Sequence, residues 1–362
     1  MSSSKRLCLV IPSLQAGGME RVMSELAGNF SRRTGVVVHL VLYGITREVF
    51  YPIPRHIIIH KPSFRFRNKI RFVSTIRTLF FLRYTIKEIN PDRILSFGEY
   101  WNNFVLISII GLGYDAFVSD RSQPNKSLGW FHDMLRYWLY PRARGIILQT
   151  EKARQIYLHK NRHSNIAVIG NPIAIPAKND DNILRERSIL MVGRLIKTKH
   201  QDKLIEMFAR VNRPDWKLIL VGYDHLKQKN MEALVRLTKE LNIEHQVEFT
   251  GKQENIDFLY RSASIFAFTS SSEGFPNVIG EAMAAGLPVI AFDCVAGPSE
   301  MIQDGYNGFL IPLYNYELFE AGMAQLMDSE ELRRNMGIHG KESIKKFSSE
   351  IICDSFYNFV TA

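Results

Sequence analysis

Short β-branched runs alternate along the chain with longer stretches whose apolar residues recur every three or four positions. The first half carries LeuCysLeuValIlePro from Leu7, ValValValHisLeuValLeu from Val36, ArgIleLeuSerPhe from Arg93, AlaPheValSer from Ala116, GlyIleIleLeuGln from Gly145 and IleAlaValIleGly from Ile166. Near-continuous apolar strands spaced by helices predict a parallel sheet covered on both faces. The pattern restarts at Ser188 with SerIleLeuMetVal, followed by LysLeuIleLeuVal, ValGluPheThr, IlePheAlaPhe and ProValIleAla, again with helices between them. GlyAsnProIleAlaIleProAlaLysAsnAspAspAsn, from Gly170, separates the two sets and reads as an interdomain linker because of its two prolines and its polar run. The expectation is an α/β protein with two Rossmann-like, doubly wound parallel-sheet domains, residues 1–172 and 173–345, facing a central cleft. Such sheets bind ligands at the carboxyl ends of their strands, so the chemistry is expected in that cleft.

The composition agrees with this picture. At 362 residues, with 46% apolar and 23% charged positions, the chain exceeds one typical core and is ordinary for a globular protein. The apolar run from Phe104 is too short to span a bilayer, and the one after Lys5 and Arg6 is too short for a signal peptide. Cys8, Cys294 and Cys353 are far apart, lack metal-site spacing and sit among apolar residues, as suits a reducing cytoplasm. The net charge of +10 is uneven. Residues 1–170 hold 25 Lys and Arg against 10 Asp and Glu, whereas residues 171–362 hold 21 against 26, so the first half is suited to an anionic partner.

Three stretches carry candidate chemistry. Gly17 and Gly18 stand where the first strand feeds a helix, a place where missing side chains let a phosphate or sugar approach open amides, or where a bland tight turn needs them. The stretch is not the G-x-G-x-x-G dinucleotide fingerprint, which argues against a dehydrogenase. Arg194 and Lys199 flank the corresponding turn of the second domain, where both can offer charge-assisted hydrogen bonds to an anion. In SerSerSerGluGlyPheProAsnValIleGlyGluAlaMetAlaAlaGly, from Ser270, Glu273 lies in a loop, Pro276 fits the first helical position, Glu281 lies more than a turn inside the helix and Gly286 caps it. The first amides of that helix form an anion site, and the two acids can reach hydroxyls on either side of the bound anion. That arrangement calls for a diphosphate with a sugar at each end.

Glu273 and Glu281 with seven residues between them, preceded by GlyArgLeu at Gly193, by Lys199 and by GlyGlyMetGluArg from Gly17, resemble the retaining GT-B glycosyltransferases of family GT4. The resemblance runs from Gly17 to about Pro312. It implies a C-terminal domain that binds a nucleotide sugar, an N-terminal domain that binds the acceptor, and a final helix, residues 346–362, that crosses back to the first domain. It implies that Arg194 and Lys199 bind the donor diphosphate and take the place of a metal, that Glu281 holds the ribose and that Glu273 contacts the donor sugar. Amides around Phe275, Asn277 and Val278 would hold phosphate or sugar, and Gly17 and Gly18 would lie against the donor. His200 departs from the pattern, since the family usually has glycine after the lysine. Among strand-end residues of the first domain, Glu99, Asp120 and Arg121 are acceptor-side candidates, and Asp120 resembles a position near the transferred sugar; helix capping is the alternative for Glu99 and Asp120. No cofactor and no metal are expected; the chain lacks Asp-x-Asp, and its Asp-Asp doublet, Asp180 and Asp181, lies in the linker.

The basic half holds PheArgPheArgAsnLysIleArgPheValSerThrIleArgThrLeuPhePheLeuArgTyrThrIleLys from Phe64, with seven cations, no acid and interleaved aromatics. Such a segment attracts anionic lipid headgroups or forms a packed helix with a basic rim. On a helical wheel Arg65, Lys69, Arg83 and Lys87 share a face. The helix containing Trp130, Phe131, Tyr137 and Trp138 has the same two readings. The stretch from Phe292 resembles bacterial enzymes that extend lipid-pyrophosphate-linked glycans. The expected function is therefore retaining transfer from a UDP-sugar to a glycan or polyprenyl-pyrophosphate-linked acceptor in surface polysaccharide assembly, in the cytoplasm at the inner membrane face. The rivals are a UDP-sugar epimerase or phosphorylase and a basic nucleic-acid-binding protein; no zinc-finger or basic-zipper pattern supports the latter.

Overall fold

A computed structural model describes residues 4–15, 17–44, 49–175, 184–224, 229–253 and 255–362, and of Lys160 the backbone only. Most of the expected linker, with Asp180 and Asp181, lies outside the described residues. The chain divides into two compact units, Met1–Pro172 with Ser349–Ala362, and Ile173–Ser348.

The first unit is built on strands β1 (Lys5–Ile11), β2 (Val36–Leu42), β3 (Ile58–His60), β4 (Arg93–Phe97), β5 (Ala116–Ser119), β6 (Gly145–Leu148) and β7 (Ile166–Val168). They pair in parallel in the order β3-β2-β1-β4-β5-β6-β7. Helices α1 (Gly18–Ser31), α2 (Arg71–Ile89), α3 (Glu99–Ser108), α4 (Trp130–Leu139) and α5 (Glu151–Lys160) make the crossovers. Leu7 to Ile11 and the whole of β4 to β6 apart from Arg93 are buried, which is why these runs are apolar on both faces. The order reverses between β1 and β4, so the loops after those two strands flank the crevice of this sheet.

The second unit repeats the plan with β8 (Ser188–Val192), β9 (Lys217–Val221), β10 (Val247–Gly251), β11 (Ile265–Phe268), β12 (Val289–Asp293) and β13 (Gly308–Pro312), ordered β10-β9-β8-β11-β12-β13. Its helices are α6 (Gln201–Val211), α7 (Asn230–Glu240), α8 (Asp257–Ser262), α9 (Asn277–Ala284), α10 (Pro298–Met301), α11 (Tyr316–Asp328) and α12 (Glu330–Ile344). Here the order reverses between β8 and β11, the strands that precede Arg194 and Glu273. Helix α13 (Ser349–Thr361) belongs to the first unit, where Cys353, Phe356 and Val360 are buried. Both units thus carry the two-domain, parallel-sheet architecture expected of GT-B.

The basic segment differs from its helical-wheel reading. Asn68–Ile70 form a 3-10 turn and α2 starts only at Arg71. The Ser74 hydroxyl accepts from the Arg67 amide at 3.1 Å and donates to the Arg67 carbonyl at 3.2 Å, folding the preceding chain back. Arg65 and Lys69 therefore share no helical face with Arg83 and Lys87. Arg83 is also committed, donating to the carbonyls of Ser108 and Ile110 at the end of α3.

Candidate active site

In the second unit β8 runs into Gly193 and Arg194, a 3-10 turn over Lys197–Lys199, and then α6. His200 closes the turn in the left-handed region at φ 51°, the conformation that glycine adopts most readily. A histidine holds it here because its Nε2 lies 2.9 Å from the Ser271 hydroxyl and its ring packs edge-on against Tyr314. The turn is tied to the end of β11 from both sides. Thr269 donates to the Lys199 carbonyl at 2.7 Å, and the Ser271 amide donates to the Thr198 carbonyl at 2.9 Å.

This lacing brings Lys199 and Glu273 into an ion pair, although 74 positions separate them in the chain. Both side chains are mostly buried, at 15% and 17% exposure, so the pair sits in a medium less screened than water. The lysine stem runs past Gly193, where a Cβ would come 3.5 Å from its Cε, and its ammonium lies 5.5 Å from the Phe268 ring centre. Arg194 is exposed, and its guanidinium has no hydrogen-bond partner among the described residues; its carbonyl accepts from Gln201 at 3.0 Å. One cation is thus fixed by a carboxylate and one is open.

Helix α9 starts one residue later than the sequence implies. Pro276 is its cap at φ −83° and ψ 85°, and Asn277 is its first helical residue. Gly297, at φ +109°, lets the loop after β12 pass Pro276, since a Cβ there would lie 2.2 Å from the proline Cδ. The far end closes with Gly286 at φ +76°, its amide bonded to the Met283 carbonyl and that of Leu287 to the Ala282 carbonyl, a Schellman ending. Phe275 is buried with its ring against Phe347, and the Asn277 amide returns to the Phe275 carbonyl. The amide of Val278 makes no hydrogen bond among the described residues. Glu281 accepts from the Tyr260 hydroxyl at 3.0 Å, a partner from α8 that sequence reading did not single out. Cys294, read from the sequence as a residue in apolar surroundings, is buried close enough to feel the charge of Glu273, and burial pushes its thiol up to about 12, which keeps it neutral.

In the first unit, Gly17 caps α1 in an extended conformation. Its amide donates to the Tyr51 hydroxyl at 3.1 Å, and a Cβ on it would lie 2.2 Å from a Glu20 carboxylate oxygen. The glycine therefore makes room for Glu20, and the exposed backbone of this turn is that of Gly18. Glu99 opens α3 and is buried. One of its oxygens accepts from the amides of Arg121 and Ser122, at 2.9 and 2.7 Å, and the other from the Ser122 hydroxyl at 2.8 Å, so it anchors the loop after β5.

Asp120 heads that loop and is buried at 7% exposure. It pairs with Arg136 of α4 and accepts from the Tyr140 hydroxyl at 2.7 Å. Burial pushes its carboxyl up to about 6 against the pull of Arg136, with Glu99 adding to the rise. Arg121 is the contrary case. Its guanidinium nitrogens are buried with no hydrogen-bond partner, and it lies over the rings of Phe97 at 4.1 Å and Phe356 at 5.5 Å. Burial pulls its pKa down to about 9. Charged residues at strand ends could be seen in the sequence; Arg136, Tyr140 and Phe356, which decide what Asp120 and Arg121 experience, carried no local signal.

Comparison with known proteins bears on the second unit directly. Residues 177–343 match the family model described as Glycosyl transferases group 1. The second unit belongs to the group 1 glycosyltransferases. Along nearly its whole length the chain is also similar to a protein of Erwinia amylovora named amylovoran biosynthesis glycosyltransferase, at 28% identity over 96% of this chain and 97% of that one. A Campylobacter jejuni protein is 26% identical over 95% and 96% of the two chains. Its name describes an N-acetylgalactosaminyltransferase acting on a diphospho-undecaprenol-linked sugar. Among solved structures, HepE of Anabaena in complex with UDP and glucose superposes with a TM-score of 0.82 at 19% identity, over 99% of both chains, and so shares the fold. The group 1 glycosyltransferase unit is the one that carries Arg194, Lys199, Glu273 and Glu281.

Proposed function

We propose that the chain is a retaining glycosyltransferase that moves a hexose or N-acetylhexosamine from a UDP-sugar to a glycan or polyprenyl-pyrophosphate-linked glycan in bacterial surface polysaccharide assembly. The observation that carries the reading is the mostly buried Lys199–Glu273 ion pair, at the strand-to-helix turn that also carries the exposed Arg194. In this reading the donor diphosphate docks on Arg194, Lys199 and the amides around Phe275, Asn277 and Val278. Lys199 turns part of its charge to phosphate, which releases Glu273 to accept from the sugar hydroxyls, while Glu281 accepts from the ribose. The bond between the anomeric carbon and the β-phosphate oxygen breaks as the acceptor oxygen bonds to the same face, and the acceptor proton passes to the departing phosphate. Fixed cations matched to the charge developing on that phosphate lower the barrier without a metal. Asp120, and Arg121 on the loop that Glu99 anchors, serve the acceptor side.

The names of the relatives support the acceptor class, and the UDP-bound neighbour supports the donor. No helix among the described residues is long and apolar enough to cross a membrane. Peripheral docking on anionic lipid from the cytoplasmic side would use the aromatics that α2 and α4 expose, Phe72, Phe80 and Tyr84 with Trp130, Tyr137 and Trp138, among the basic residues of this unit.

The test joins binding to turnover. UDP is expected to raise the melting temperature, and EDTA to leave sugar transfer unchanged. Lys199→Met should lower kcat/KM about a hundredfold, the scale of losing one fixed charge at a developing oxyanion. Full turnover in an Arg194→Ala/Lys199→Met enzyme, or a strict need for a divalent ion, would refute the mechanism.

A further inference from the structure

The second unit holds a cavity of about 530 Å³ that the chemistry above does not use. Its lining includes Arg187 just before β8, Ser264 just before β11 and Pro288 just before β12, so it lies where the strands begin. Lys199 and Glu273 follow the other ends of the same strands. Helix α9 leads from the loop of Glu273 to Gly286 on the cavity wall.

The wall is strongly basic: Arg185, Arg187, Arg333, Arg334 and Lys341 line it together with one acid, Glu330. Two of the guanidinium groups are pinned by neutral acceptors. Arg185 donates to the Ala263 and Ala285 carbonyls at 2.6 and 2.7 Å, and Arg333 to those of Leu326 and Met327 at 2.6 and 3.0 Å. Arg333 also stacks on Trp216 at 5.2 Å. Arg187 is paired with Asp215, whereas Arg334 and Lys341 have no ion pair among the described residues. Burial lowers the pKa of Arg185, and it lowers that of Arg333 against the pull of Glu330.

The cations are also seated. Gly286 leaves the space that the Lys341 stem fills, since a Cβ there would lie 2.6 Å from its Cε. Gly337 brings α12 against the Gly286 carbonyl, which a Cβ would approach to 2.3 Å. A recess of small-ligand size, walled by arginine forks whose hydrogen bonds go to carbonyls, matches the geometry and charge of phosphate oxygens.

We propose that this cavity binds a small, multiply charged oxyanion of the phosphate class, a pyrophosphate or a phosphate ester, at a site separate from the candidate donor pocket. Inorganic pyrophosphate titrated calorimetrically into the full chain tests it. Binding should persist in Arg194→Ala/Lys199→Ala, which disables the donor pocket. It should weaken about tenfold or more in Arg334→Ala/Lys341→Ala, the scale of losing charge-assisted hydrogen bonds. Because Lys341 packs on Gly286, the exposed Arg334→Glu is the control for folding, with an unchanged melting temperature and the same direction of loss. The proposal falls if wild type binds no pyrophosphate at all, if Arg194→Ala/Lys199→Ala abolishes the binding, or if Arg334→Glu leaves it intact.

Discussion

A carboxylate at the end of a buried strand is costly unless partners come to it, and Asp120 is met by Arg136, Tyr140 and Asn102. Burial still dominates, holding its folded pKa near 6 against an ordinary value of 3.8. The folded state therefore keeps a proton that the unfolded chain loses between about pH 4 and pH 6, and stability falls as pH rises through that window. The stability difference between wild type and Asp120→Asn, from denaturant titrations, should decline on the order of 2 kcal/mol from pH 4 to pH 6 and then level off. A difference that rises over the same window would mean that the Arg136 ion pair outweighs burial. Arg121 is the next residue in the chain and has the opposite environment, a cation over two rings with no acceptor for its nitrogens. Neighbouring charges in a sequence carry no sign of this contrast, because the partners come from other elements.

The runs that read as strands all form strands, since a strand buried on both faces must be apolar along its length and that requirement is visible one residue at a time. Two short edge strands escaped. Ile58–His60 is only three residues long and mostly exposed, and Gly308–Pro312 lies at the sheet edge beside β12 and ends at a proline, so neither has the buried run that marks a central strand. The late start of α2 escaped for a related reason: the Ser74 bonds to Arg67 replace the helix that the spacing allows. At α9 the deciding contact is Gly297 against Pro276. Gly297→Ala must move the cap of α9, strain a positive φ, or both. We expect it to cost roughly 1–3 kcal/mol in stability. Because α9 presents Glu281 and the amides near Glu273, kcat/KM should also fall, by more than the loss of folded protein accounts for. Assays normalised to folded enzyme check this; unchanged specific activity would detach the loop from the site.

For the whole molecule, the fourteen residues after Ser348 complete the first unit. Phe356 packs on Phe97, Tyr357 on Phe30 and Phe359 on Phe117, while Arg33 pairs with Asp354. Burying Ile352, Cys353, Phe356 and Val360 contributes about 1.5–3 kcal/mol per large apolar side chain, a sum comparable with the stability of an entire domain. Deleting residues 349–362 should therefore abolish cooperative unfolding of the first unit while leaving a transition for the second, which calorimetry would resolve; two unchanged transitions would contradict it. Strand positions, the α/β class, the duplicated sheet plan and the acids and cations worth testing follow from the order of residues, because periodicity and local propensity act along the chain. Tertiary structure alone decided which charge meets which. Lys199 finds Glu273, Asp120 finds Arg136 and the Arg121 guanidinium lies over aromatic rings, because the loops that carry them are brought together by sheet order, a property that no local stretch encodes.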